Sequence, residues 1–245
     1  GMEPIAVPLD QYGHDQFFSA RRHGFVRVAT STPRGRPADV AYNTANIIAE
    51  AQKAHAESVD LLVFPELCVS SYAIDDLHLQ TALLDAVESA LEDIRQARAS
   101  LSSVLLVGAP LRWRGSLYNC AIAIARGHVL GVVPKSFLPN YREYYEKRWF
   151  AHGRDISGES IRLGGAHVPF GTDLIFEASD FAPLIFHMEI CEDYWAAIPP
   201  SSDAALAGAL ILANLSASNI TIGKADDRHL LSQSQSMRAH AAYVY

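Results

Sequence analysis

The stretch FHMEICEDYWAAIPPSSDAALAGALILANLSASNIT, residues 186–221, sets the reading of the whole chain. An apolar run over 183–190 ends in Glu189-Ile190 and delivers Cys191. The acidic pair Glu192-Asp193 and the aromatic pair Tyr194-Trp195 follow at once. A Pro-broken polar segment comes next, then the small-residue run 204–209, then a second apolar strand over 209–212. This is the layout of a side chain presented at a strand-to-helix corner, with a second strand end near enough to line the same pocket. Free cysteine is also among the most buried residue types, so the stretch alone leaves Cys191 open as a packed thiol or a nucleophile.

Working outward, two more apolar strands end in chemically capable residues. Leu61-Leu62-Val63-Phe64 is a continuous apolar run of the kind covered on both faces of a sheet, and it stops at Pro65-Glu66-Leu67. The runs 118–125 and 129–133 read as a hairpin about Arg126-Gly127, and the second leads straight into Pro134-Lys135. The remaining expectations are conventional. Residues 25–30 alternate as a strand, 31–37 form a loop, and a helix begins at Asp39 and runs to about 58. A long amphipathic helical region in one or two pieces spans 75–99, and another buried strand covers 104–108. The aromatic and charged FLPNYREYYEKRWF, 137–150, precedes a Gly-rich loop over 152–165. Strands are expected at 173–176 and 184–187, a loop at 215–223, a polar helix over 226–241 and a further strand from Tyr243.

Composition bounds the function. With 245 residues, 49% of them hydrophobic, the chain can build a full core as one domain. A net charge of −7 argues against nucleic acid or an anionic membrane surface as partner. No segment approaches the roughly 20 apolar residues of a membrane span, and residues 1–23 carry no export signal pattern. Three widely spaced cysteines, Cys68, Cys120 and Cys191, suggest neither a disulfide framework nor a zinc ribbon, so a reducing cytoplasm is the expected compartment. The ten histidines form no HExxH or HxH pair, so no metal site is expected, and no phosphate-binding glycine loop occurs. The opening Gly-Met reads as a tag remnant ahead of a loose lead-in over 1–23. The sequence stops as an apolar strand begins, so a C-terminally truncated single domain is expected.

Ligands of α/β folds collect outside the carboxyl ends of strands. A carboxylate or an ammonium at a buried strand end is costly unless paired. Glu66, Lys135 and Cys191 each follow such a strand. Pattern alone leaves two readings open: a buried Glu66–Lys135 ion pair with an inert Cys191, or a three-residue catalytic site.

The motifs themselves go further. FPEL at 64–67, VPKSFLPNYREYYE at 133–146 and EICEDYW at 189–195 resemble the three signatures of the nitrilase, or carbon–nitrogen hydrolase, superfamily. That superfamily uses a Glu-Lys-Cys triad. The phrases RRHGFVRVAT at 21–30, SSYAIDDLHLQ at 70–80, VGAPLR at 107–112, LYNCAIAIARGHVLGVVPKS at 117–136, FGTDLIF at 170–176 and LANLSASNITIGK at 212–224 narrow the likeness to the glutaminase domains of glutamine-dependent NAD synthetases. The resemblance implies an α/β fold, a four-layer α-β-β-α sandwich, and a domain spanning 1–245.

The resemblance also implies roles. Cys191 would attack the carboxamide of glutamine, Glu66 would shuttle protons, and Lys135 would hold positive charge near the oxyanion, with the backbone N–H of Glu192 as second donor. Tyr141, Ser218 and Lys224 occupy the family's glutamine-contacting positions, and Glu143 stands where many relatives carry a glutamate that orients the lysine. Cys68 and Cys120, in or beside strands, read as core thiols. No cofactor is expected in this domain. ATP and Mg²⁺ belong to a synthetase domain whose SGGxDS-type loop does not occur in this sequence, and which would be the partner receiving ammonia. Family habit also implies a homo-oligomer. Two other readings stand beside this one: a free-standing amidase or nitrilase acting on another small amide, and a catalytically silent docking module that keeps the fold.

Overall fold

The computed structural model describes residues 26–97, 103–136, 146–177, 184–190, 204–206, 210–217 and 219–223 of the 245. Two helices and twelve strands are built from them: β1 (Val26–Thr30), α1 (Val40–Ala56), β2 (Leu61–Val63), α2 (Thr81–Ala97), β3 (Val104–Trp113), β4 (Ser116–Ala125), β5 (His128–Pro134), β6 (Glu159–Leu163), β7 (Ala166–Phe170), β8 (Ile175–Glu177), β9 (Ile185–Glu189), β10 (Ala204–Leu206), β11 (Leu210–Asn214) and β12 (Asn219–Gly223).

The helices follow from their sequences. Asp39 caps α1 by accepting from the Tyr42 N–H at 3.1 Å, which satisfies one of the donors that a helix start leaves orphaned. Val40, Thr44, Ile47, Ala51 and Ala54 then bury one stripe. In α2 the buried stripe is Leu83, Leu84, Val87, Ala90, Leu91 and Ile94. The helical region is in two pieces, with a 3-10 helix Asp75–Leu79 ahead of α2.

The strands form two sheets. The larger runs β10-β1-β2-β3-β4-β5-β7-β6 and the smaller β12-β11-β9-β8. β1, β2 and β3 are parallel, β3, β4 and β5 antiparallel, and β9 and β11 parallel. One apolar cluster fills the space between the helices and the large sheet, with Ile47, Val87 and Ile94 against Leu62, Leu105 and Ile122. A second lies between the sheets, where Val63, Leu106 and Ala121 meet Phe176, Phe186, Met188 and Ile211. Strands buried on both faces are continuously apolar for that reason, as in β3 and β4. Helix layer, sheet and sheet are thus three layers of the α-β-β-α sandwich. The helix expected over 226–241 lies outside the described residues, as does the strand from Tyr243.

Three expectations need correction. The Gly-rich loop over 152–165 contains β6, which forms a hairpin with β7 about Gly164-Gly165, both at positive φ. The small-residue run 204–209 includes β10, which pairs antiparallel with β1 at the sheet edge. The loop 215–223 is a single 3-10 turn, Leu215–Ala217, followed by β12. Each missed strand is short or only weakly alternating, and its partner rather than its own composition fixes it.

Candidate active site

β2 ends at Val63, and Phe64 extends its pairing by donating to Leu106 O. The chain then turns sharply. The Glu66 N–H donates to Leu215 O at 2.7 Å, and Leu67 adopts φ +53°, a left-handed conformation that costs a branched residue energy. Ser70 and Ser71 both donate back to Leu67 O. Gly108 on β3 passes directly behind this turn. A Cβ there would lie 2.4 Å from Leu67 N and 2.7 Å from Pro65 O, so only glycine lets the two backbones approach. Cys68 completes the lock: its Sγ accepts from the Gly108 N–H and donates to Gly108 O.

Lys135 follows β5 in the same manner. Its N–H donates to Asn119 O on β4, and Gly153 N–H donates to Lys135 O. The Lys135 side chain is 1% exposed and Glu66 is 9% exposed. Their charged groups meet, Lys135 Nζ to Glu66 Oε2, at 3.4 Å. Asn119 Nδ2 donates to the same oxygen at 2.9 Å. Two of the three strand ends singled out from sequence therefore come together, 69 residues apart along the chain.

A third ionisable group joins them. Glu146, 1% exposed, accepts from Lys135 Nζ at 3.3 Å and 3.2 Å through its two oxygens. It also accepts from the Tyr72 hydroxyl at 2.6 Å. Nothing in YREYYE singles out Glu146 for this role, and the fold brings it to the ammonium. Tyr72 and Asn119 carried no sequence signal of their role either. Glu143 and Tyr141 lie outside the described residues, as do Cys191, Glu192, Ser218 and Lys224.

Among the described residues, two carboxylates thus face one ammonium. Burial pushes the Glu66 carboxyl above its ordinary value of 4.5, against the pull of Lys135 and the Asn119 hydrogen bond, and the nearby Glu146 charge pushes it the same way. A carboxylate so placed is a good proton acceptor, yet it remains in hydrogen-bond reach of a fixed positive charge. The two described thiols, half-buried Cys68 and buried Cys120, are both held in the protonated form. Burial pushes Cys68 up to about 12, and pushes Cys120 up as well.

The small sheet abuts the Glu66 turn. β9 and β11 run parallel with Glu189 opposite Asn214, so both strands end level with each other. Leu215, next after β11, is the residue that accepts from the Glu66 N–H. Ile190, next after β9, is buried, and Cys191 follows it.

Comparison with known proteins identifies the family. The carbon–nitrogen hydrolase family model matches residues 27–245. The chain belongs to that family. It is 56% identical over 229 residues to a glutamine-dependent NAD(+) synthetase of Mycobacterium tuberculosis and 51% identical to that of Mycobacterium leprae, covering 94% of this chain and 34% of either relative. The chain therefore spans about a third of the length of the curated relatives it matches. Among solved structures, a glutamine-dependent NAD(+) synthetase from Cytophaga hutchinsonii superposes with a TM-score of 0.62 at 26% identity, over 69% of this chain and 28% of that one. The nitrilase fold expected from the motifs is the fold observed. Among the described residues no group of three His, Cys, Asp or Glu could hold a metal ion, and no helix is long and apolar enough to cross a membrane.

Proposed function

We propose that this chain hydrolyses L-glutamine to glutamate and ammonia through a thioester on Cys191. The observation that carries the reading is the buried Glu66–Lys135 pair at the strand ends, 3.4 Å apart, on the same side of the molecule as the residue that precedes Cys191. Glu66 takes the thiol proton as the sulfur attacks the carboxamide carbon. Lys135 and the Glu192 N–H face the oxyanion, where each donor of this kind is worth about 10²–10³ in rate. Glu66 then gives its proton to the departing nitrogen, and ammonia leaves. In the second half Glu66 takes a proton from water, hydroxide attacks the thioester, and glutamate departs as Cys191 regains its proton from Glu66.

The likeness to glutamine-dependent NAD(+) synthetases supports glutamine over other amides, with Tyr141, Ser218 and Lys224 binding its α-amino and α-carboxylate groups. It also supports delivery of the ammonia to an NAD-forming synthetase domain that uses ATP and Mg²⁺. The glutaminase chemistry itself needs no cofactor and proceeds in the cytoplasm, in a homo-oligomer each subunit of which carries this chain as one hydrolase domain. The test is glutamate release by the purified chain, with asparagine, other ω-amides and nitriles as competitors. Turnover of glutamine that vanishes in Cys191→Ala is expected. Unchanged turnover in that variant, or preference for a nitrile, refutes the reading.

A further inference from the structure

Tyr72 sits on the same short segment as Glu66, yet its hydroxyl reaches the far side of the ammonium. Leu67 and Ser71, at φ +53° and +80°, fold the segment back on itself. The result is a closed ring: Tyr72 donates to Glu146 Oε1 at 2.6 Å, Glu146 accepts from Lys135 at 3.2 Å, and Lys135 contacts Glu66 at 3.4 Å. Two anchors fix the Tyr72 segment against the turn that carries Glu146. Asp76 accepts from Trp149 Nε1 at 2.9 Å and from Arg148 at 2.9 Å. His78, buried, sets its ring against Trp149 and Phe150, with centroids at 5.4 Å and 4.9 Å, and its Nε2 donates to Tyr72 O at 3.2 Å. The backbone N–H groups of those two aromatic residues donate to Glu146 O. The docked segment therefore holds the Glu146 side chain directly and braces the turn that carries it.

Resting on the glutaminase reading, we propose that Tyr72 is a positioning residue of the reaction: acting through Glu146, it sets where the Lys135 ammonium stands between Glu66 and the developing oxyanion. Tyr72 reaches the lysine through the Glu146 carboxylate. A phenol donating to a carboxylate makes a short, charge-assisted bond, and it occupies lone-pair capacity on Oε1 that would otherwise draw the ammonium toward Glu146. Without it the carboxylate is free to swing, and the lysine follows. Displacements of about 1 Å at such groups cost rate more than affinity.

Tyr72→Phe keeps the ring and removes only the hydroxyl. Its kcat for glutamine should fall about tenfold, less than the loss of a direct oxyanion donor, with KM changed less than about twofold. In a Glu146→Gln background the same substitution should have no further effect on kcat, because residues acting in series are not additive. An unchanged kcat with a lowered Tm makes Tyr72 merely structural and overturns the proposal. So does an equal fall in both backgrounds. Should Glu146→Gln fail to fold, the kcat-against-KM split of Tyr72→Phe decides alone. The rate of Cys191 alkylation by iodoacetamide in the full chain separates the two claims. A wild type inert to glutamine defeats the functional reading, while alkylation slowed about tenfold by Tyr72→Phe still upholds the positioning role and unaltered alkylation refutes it.

Discussion

Glu66→Gln trades a titrating group for a neutral one of the same shape, and its effect on stability follows from the site's charge count. In the folded chain the Glu66 carboxyl binds its proton more tightly than the ordinary value of 4.5. Below that value, folded and unfolded chains both hold the proton and the residue makes no pH-dependent contribution. Above it the unfolded chain releases the proton first, so the folded state binds more protons and stability falls as pH rises, by up to about 1.4 kcal/mol per pH unit. The fall ends where the folded carboxyl ionises too, and the deficit then stays constant. Glutamine has no such proton. Its carbonyl oxygen can still accept from Asn119, and Lys135 keeps Glu146 at 3.2 Å as a one-to-one pair. The variant should therefore match wild type near pH 4 and exceed it at pH 8. Each kcal/mol corresponds to about 2–4 °C in Tm for a chain of this size. Carboxylates outside the site contribute alike to both proteins, so the difference between their Tm-against-pH curves reports the charge balance around Glu66. Glutamine turnover should meanwhile drop by at least about 10²–10⁴, the usual worth of a general base. A gap between the two curves that does not widen from pH 4 to pH 8, or a variant less stable throughout, would refute the charge assignment.

Two further outcomes follow from the same geometry. Iodoacetamide at pH 8 should modify Cys191 and spare Cys68 and Cys120, whose thiols burial pushes up, Cys68 to about 12. Peptide mapping that finds Cys68 labelled at a comparable rate would contradict this. Gly108→Ala places a methyl 2.4 Å from Leu67 N and 2.8 Å from Glu66 C, atoms of backbone that cannot rotate away. Urea unfolding should show a loss of about 1–3 kcal/mol or more, and kcat should fall because Glu66 moves. An alanine variant of native stability and activity would show that the turn is looser than the contacts indicate.

Glu66 and Lys135 were legible because each is the first charged residue after an apolar strand, where burial makes an unpaired charge expensive. The central strands β2, β3, β4 and β5 and the helices α1 and α2 were legible from continuous apolar runs and from 3.6-residue periodicity. Glu146 was not, because its tie to the ammonium depends on the docking of the Tyr72 segment, 74 residues earlier. Asn119 lay inside an apolar run, where one amide reads as tolerated rather than employed. β10 and β12 were missed because strand identity there belongs to the pairing partner. Gly108 had no signal at all, since its role is an absence of side chain behind Leu67.

The long sequence separations in the ring also bear on how the chain folds. Glu66 meets Asn119 across 53 residues and Lys135 across 69. These contacts close only after β3, β4 and β5 have joined β2, so the site has high contact order, and loop-closure entropy opposes it until the sheet exists. Until then its carboxylates and ammonium stay hydrated and separate. The paired carboxylates and ammonium thus belong to the completed central sheet and to no single strand of it.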